Sequence, residues 1–186
     1  FFHIPKTAGT SVVKSIFGDI TLDSHHRSIK YYDSLFYDEL ENFFSFTIVR
    51  NPWERLYSAY KFLEKGGVNI HDKNAYNIHL KDFKNFEDFV LNGLNEKIMF
   101  EIIHFVPQYK FICNNSDDIL VDLVGRFEDL DGVISEINNL RKTNFILDHH
   151  NSNIKENYRD IYTIDMIESV RKFYIKDIEI FKYNFV

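Results

Sequence analysis

Cysteine is almost absent from this chain: Cys113 is the only one in 186 residues, which rules out an intrachain disulfide and a cysteine-rich zinc site. That usage fits a reducing, cytoplasmic compartment. Proline (3) and glycine (7) are also scarce, leaving little sequence for flexible linkers, so the whole chain is expected to fold. No apolar run of about 18 residues exists to span a bilayer. The opening Phe-Phe-His has no charged signal-peptide region, although without an initiator Met the sequence stays compatible with a trimmed targeting segment. Basic residues are outnumbered, 22 to 28, and the formal charge of -6 argues against broad, sequence-independent nucleic-acid binding, which draws on many Lys and Arg contacts to phosphate. A local basic pocket is still allowed. No histidine spacing resembles H-E-x-x-H, so no metal is expected.

What is plentiful is aromatic: 19 Phe and 11 Tyr, read here as core filling. The length suits one domain, residues 1–186. Three apolar runs organise it. Phe1 to Ile4 stops at Pro5 and leads through Lys6-Thr7-Ala8-Gly9-Thr10-Ser11 into Val12-Val13-Lys14-Ser15-Ile16-Phe17, a strand, loop and helix with Thr10 or Ser11 as the cap. Phe43 to Val49, aromatic and β-branched, predicts a second strand ending at Arg50. Asn51 then suits an N-cap, Pro52 the first helical position and Glu54 a capping box, with Trp53, Leu56, Tyr57 and Tyr60 facing the core. Ile119 to Val124 predicts a third strand, covered on both faces, before Gly125-Arg126-Phe127-Glu128. Helices are expected over Phe86 to Leu94, around Ile102 to Tyr109, over Val133 to Leu140, and from about Ile164 to Phe181, where Ile164, Ile167, Tyr174, Ile178 and Phe181 form a packing stripe. Strands alternating with helices imply a mainly parallel sheet, whose ligands sit beyond the carboxyl ends of the strands. Lys6 and Arg50 both fall at that edge.

The segment Pro5 to Ser11 combines small residues, hydroxyls, one ammonium and a helix N-terminus, the parts of a phosphate cradle. It is not a Walker A loop, because Lys6 precedes Gly9 and the leading glycine is missing. Taken alone it reads equally well as a capped turn. Arg50, with Ser58 on the helix face nearest Asn51, could hold a second anion, or could be a carboxylate partner and a packing residue. His25 and His26, in Asp23-Ser24-His25-His26-Arg27-Ser28, are candidate general bases or solvated loop residues. His3 fits strand packing, and nothing in the pattern gives His71, His79 or His104 a role.

Two stretches, His3-Ile4-Pro5-Lys6-Thr7-Ala8-Gly9-Thr10-Ser11 and Phe46-Thr47-Ile48-Val49-Arg50-Asn51-Pro52-Trp53-Glu54-Arg55-Leu56-Tyr57-Ser58-Ala59-Tyr60, together resemble the sulfotransferases that include carbohydrate and heparan-sulfate 2-O-type enzymes. The likeness continues through Gln108, Ile119 to Leu130, His149-His150-Asn151-Ser152 and the segment Tyr174 to Tyr183. The resemblance implies a PAPS-dependent transfer of a sulfuryl group to a hydroxyl of a saccharide or glycoconjugate. It also implies an α/β fold, P-loop-NTPase-like and three-layered, with a central mainly parallel sheet flanked by helices. Lys6, Thr7, Ala8, Gly9, Thr10 and Ser11 would surround the 5'-phosphosulfate, Arg50 and Ser58 would hold the 3'-phosphate, and Arg126 with Asn151-Ser152-Asn153 would line the nucleotide pocket. Lys6 would stabilise charge on the leaving phosphate, with His26, or else His25, as base. A nucleotide kinase is the rival within catalysis, and a silent nucleotide- or saccharide-binding module the rival outside it. Arg27, Lys30, Tyr31, Tyr32 and the segment Lys61 to His79 lie where an acceptor would approach.

Overall fold

A computed structural model describes residues 1–18, 26–147 and 157–185. Along the chain come α1 (Gly9–Phe17), α2 (Ile29–Phe36), a 3-10 turn (Tyr37–Asn42), β1 (Phe46–Val49), α3 (Pro52–Glu64), α4 (Ile70–His79) and α5 (Phe86–Asp88), which runs into a π turn (Phe89–Gly93). They are followed by α6 (Glu96–Glu101), α7 (Tyr109–Ile112), β2 (Leu123–Arg126), α8 (Leu130–Arg141), α9 (Ile164–Phe173) and α10 (Ile175–Phe181). The architecture is mixed α/β, a small parallel two-stranded sheet flanked by helices. Two compact units share these elements, Phe1–Arg50 with Gln108–Asn153, and Asn51–Pro107 with Ile154–Val186.

The first unit is built on β1. Phe46 and Ile48, two apart and so on one face of the strand, pack against Val12 of α1 and Val133, Ile134 and Ile137 of α8. Phe2 forms a parallel bridge to Thr47: its N–H donates to Phe46 O at 2.8 Å, and Thr47 Oγ1 donates to its carbonyl at 2.7 Å. The expected first strand is therefore one bridge and not a full ladder. On the other side β1 pairs with β2 in register Phe46↔Leu123 to Val49↔Arg126. Asp122 sets where that pairing begins, its carboxylate accepting from the N–H and hydroxyl of Ser45 at 2.7 and 2.8 Å. The third strand thus runs over Leu123–Arg126 and not Ile119 to Val124; Ile119 and Leu120 are exposed, and Ile119 makes a lone antiparallel bridge to Cys113. Gly125 has a packing reason, since a Cβ there would come 2.5 Å from Val133 Cγ2 and push α8 off the sheet.

The second unit is an aromatic-rich helical core. Asn51 caps α3 by accepting from Trp53 N–H at 3.1 Å, and Pro52 occupies the first turn, where its missing N–H costs nothing. Trp53, Leu56, Tyr57 and Tyr60 are all buried, as the helical spacing predicts, with Phe86, Phe89, Phe105, Met166 and Val170 around them. Asn69, Asn85 and Asn95 cap α4, α5 and α6 in the same way.

Three expected helices in this unit take other forms, and the one over Phe86 to Leu94 is α only to Asp88 before its π turn. Residues 102–108 are not helical, because Pro107 cannot continue a helix and disfavours helical backbone at Val106. The carbonyls of His104, Phe105 and Val106 accept from Arg55 and Tyr174 side chains instead of from helix N–H groups. The C-terminal helix breaks at Tyr174, whose φ of -112° and ψ of 22° leave the helical range while its phenol donates to Phe105 O at 2.7 Å. Ile164, expected in the packing stripe, is 80% exposed, whereas Tyr174, Ile178 and Phe181 are buried.

Candidate functional site

The carboxyl edge of the sheet in the first unit gathers three chain segments. After the Phe2 bridge the chain passes Ile4 and Pro5 and turns, with Lys6 at φ 68° and Ala8 at φ 63°. Left-handed backbone at two non-glycine residues is costly, and turns of this kind aim main-chain N–H groups into an anion-binding concavity. The N-cap of α1 is Ala8, not Thr10 or Ser11 as expected; the helix starts at Gly9, and its first i→i−4 bond runs from Val12 N–H to Ala8 O at 3.1 Å. Gly9, Thr10 and Ser11 thus hold the positions at which a helix presents its N–H groups outward. The Thr7 hydroxyl is buried and donates to Ile4 O at 2.9 Å, so it braces the turn from beneath.

Arg50, at the end of β1, is held from two directions. Gln108 accepts from its N–H at 2.8 Å and donates to its carbonyl at 2.9 Å, pairing with it as another strand would. Its guanidinium lies over the Phe127 ring at 3.8 Å, and Nη1 donates to Lys6 O at 3.2 Å, tying the end of β1 to the left-handed turn. Arg126, level with Val49 in the register, closes β2 at the same edge and is exposed.

His26 comes to this edge as well. Its Nδ1 is 3.0 Å from His3 O, and the two rings meet edge to face with centroids 4.5 Å apart. His3 in turn covers Gly9, where a Cβ would lie 1.9 Å from its ring. Next along the chain, the Arg27 guanidinium lies 4.8 Å over the exposed Tyr31 ring, and Lys30 Nζ donates to Asn115 Oδ1 at 2.6 Å.

Of the residues singled out from sequence, Lys6, Thr7, Ala8, Gly9, Thr10, Ser11, Arg50, Arg126 and His26 belong to this unit. Ser58 is buried on α3 of the second unit. His25 and the segments His149-His150 and Asn151-Ser152-Asn153 lie outside the described residues. Among the described residues, no three His, Cys, Asp or Glu side chains come together to hold a metal ion, and no helix is long and apolar enough to cross a membrane.

Sequence reasoning missed the polar cluster of the second unit. Arg55, 1% exposed, donates to His104 O at 3.2 Å and to Val106 O; His104 Nε2 donates to Asp72 Oδ1 at 2.9 Å. Burial alone would raise the Asp72 carboxyl. The hydrogen bond with His104, the main-chain bonds at Val68 and Asn69 and the His104 charge outweigh it and hold the group below its ordinary value. Asp72 and His104 stand 32 residues apart with no shared motif, so no local signal announces the pair.

Compared with known families, residues 1–184 match a family model described as the sulfotransferase family. No curated protein and no solved structure matches the chain.

Proposed function

The chain belongs to the sulfotransferase family and is a sulfotransferase; from that premise we propose that it moves a sulfuryl group from PAPS to a hydroxyl of a saccharide or glycoconjugate by in-line displacement. The observation that carries the proposal is the meeting of the Lys6–Gly9 turn, Arg50 and His26 around one sheet edge. These residues fit an anionic donor: a left-handed main-chain turn, the N-terminus of a nine-residue helix, one ammonium and a guanidinium fixed by Phe127 and the Lys6 carbonyl. When bound, the donor supplies the sulfuryl group and the phosphate on which charge develops.

The chain's own groups divide the remaining work. Lys6 and the N–H groups of Gly9, Thr10 and Ser11 face that developing charge, already oriented and so without reorganisation cost. Arg50 holds the Lys6 carbonyl and takes part in binding the nucleotide's second phosphate, with Arg126 at the rim of the same edge. His26 receives the acceptor's proton. Tyr31, exposed with Arg27 beside it, offers a stacking face for a sugar ring five residues past His26. The parallel pairing and the turn-to-helix order support a P-loop-NTPase-like three-layer fold, and the family match across both units supports one sulfotransferase domain.

The test is transfer of labelled sulfate from PAPS to a panel of oligosaccharides and glycoconjugates, with phenols and tyrosyl peptides alongside. Labelled saccharide, dependent on Lys6 and His26, is the expected result. Label only on phenols or peptides would reject the saccharide acceptor, and label on none would reject the donor.

A further inference from the structure

We infer that His3 is the positioning residue for His26, and that the base atom of His26 is Nε2. The inference rests on His26 being the base. His26 Nδ1 lies 3.0 Å from the main-chain oxygen of His3. A carbonyl oxygen only accepts, so Nδ1 carries the hydrogen; a neutral imidazole has one N–H, which leaves its lone pair on Nε2.

The acceptor in that bond is itself well fixed. On its N-terminal side Phe2 is clamped to β1 through both its N–H and its carbonyl, at 2.8 and 2.7 Å. The His3 ring is stacked near Phe1, with centroids 5.8 Å apart, and fills the space a Cβ on Gly9 would need. It then presents its edge-to-face contact to the His26 ring. Gly9 therefore has a use separate from anion binding: without a Cβ, it leaves the space in which His3 sits. The segment that forms the donor turn also carries the group that orients the base, which fixes the distance between base and turn through short-range contacts.

In the transfer, the acceptor's O–H bond breaks and its proton passes to His26 Nε2. The acceptor oxygen bonds to sulfur while the bond from sulfur to the phosphate oxygen breaks, its electron pair leaving on the phosphate. The resulting imidazolium keeps its Nδ1–H on His3 O, so the ring does not turn during the reaction.

The experiment reads the tautomer directly. Long-range proton–nitrogen correlation spectra of the protein labelled with nitrogen-15 in histidine, with the His26→Asn variant to assign the signal, report which nitrogen of the neutral ring is protonated. The expected result is hydrogen on Nδ1 in the wild type, kept in His3→Phe, which retains an aromatic ring beside Gly9, and replaced by a tautomer mixture in His3→Ala. His3→Ala is expected to lose turnover through kcat, with PAP affinity unchanged. Hydrogen on Nε2, or a tautomer mixture in the wild type, overturns the proposal; so does a His3→Ala protein with wild-type tautomer and kcat. The wild-type spectrum needs neither donor nor acceptor, so an error in the donor assignment would leave it unchanged.

Discussion

Both units close buried polar side chains on partners of their own, but they place the rest of their polar groups differently. In the second, buried polar side chains close on partners within the unit: Arg55 on two carbonyls, His104 on Asp72, the Tyr162 phenol on Trp53 O and the Tyr174 phenol on Phe105 O. Burial pushes both phenols well above their ordinary range, so they stay neutral donors. In the first, polar groups gather at one end of a small sheet, two non-glycine residues of the turn before α1 hold left-handed backbone, and an arginine braces that turn. Backbone strain of this kind persists where the surroundings over-determine it and where an activity uses it. On the proposed reading, the polar groups of the second unit serve stability and those of the first serve a ligand.

The sharpest way to test that division is to remove the proposed base. His26→Asn is expected to lower turnover by about 10² to 10⁴-fold, the usual worth of general base catalysis. Melting temperature and PAP affinity should stay near wild type, as calorimetry would read them. A comparable fall in stability would show that His26 holds the fold instead. The converse experiment attacks the other unit: Trp53 is fully buried, and Trp53→Ala is expected to cost about 3–5 kcal/mol in a urea melt. A loss below about 1 kcal/mol, the range of ordinary surface and mild core changes, would contradict the packing described.

A smaller effect follows from Asp72. Its carboxyl is held below the ordinary 3.8, so the unfolded chain binds this proton more readily than the folded one. The stability it confers is complete above that ordinary value and is lost as pH falls through the lower folded value. Melting temperatures measured across the acid range should therefore drop less steeply in Asp72→Asn than in wild type, although the variant starts lower. The smallest effect is expected at Ile164, whose exposure leaves little to lose: Ile164→Ser should change stability by no more than about 0.5 kcal/mol.

What the sequence announced was local. The Asn51-Pro52 helix start, the buried face of α3, the strand ending at Arg50 and the turn before α1 were all legible because caps, proline and residue spacing act over a few positions. The Ile119 to Val124 strand was misplaced because a side-chain clamp 77 residues distant, Ser45 on Asp122, decides where pairing starts. The same limit hid the Arg55, His104 and Asp72 cluster and the break at Tyr174, which depend on carbonyls presented by residues 104–106. Within the candidate site, Lys6, Arg50 and His26 stood out by residue type. That His26 is bonded to His3, and Arg50 to Lys6, could only come from the pairing of Phe2 with β1 and the turn that follows.

The account rests on the carboxyl edge of the first unit holding the donor, and calorimetric titration of PAP tests that most directly, with ATP and Mg²⁺ as the control. It predicts metal-independent PAP binding that weakens by roughly ten- to a hundredfold in Lys6→Ala and in Arg50→Ala, the worth of one charged hydrogen bond. Absence of PAP binding, binding indifferent to both substitutions, or a preference for ATP with Mg²⁺ would contradict it.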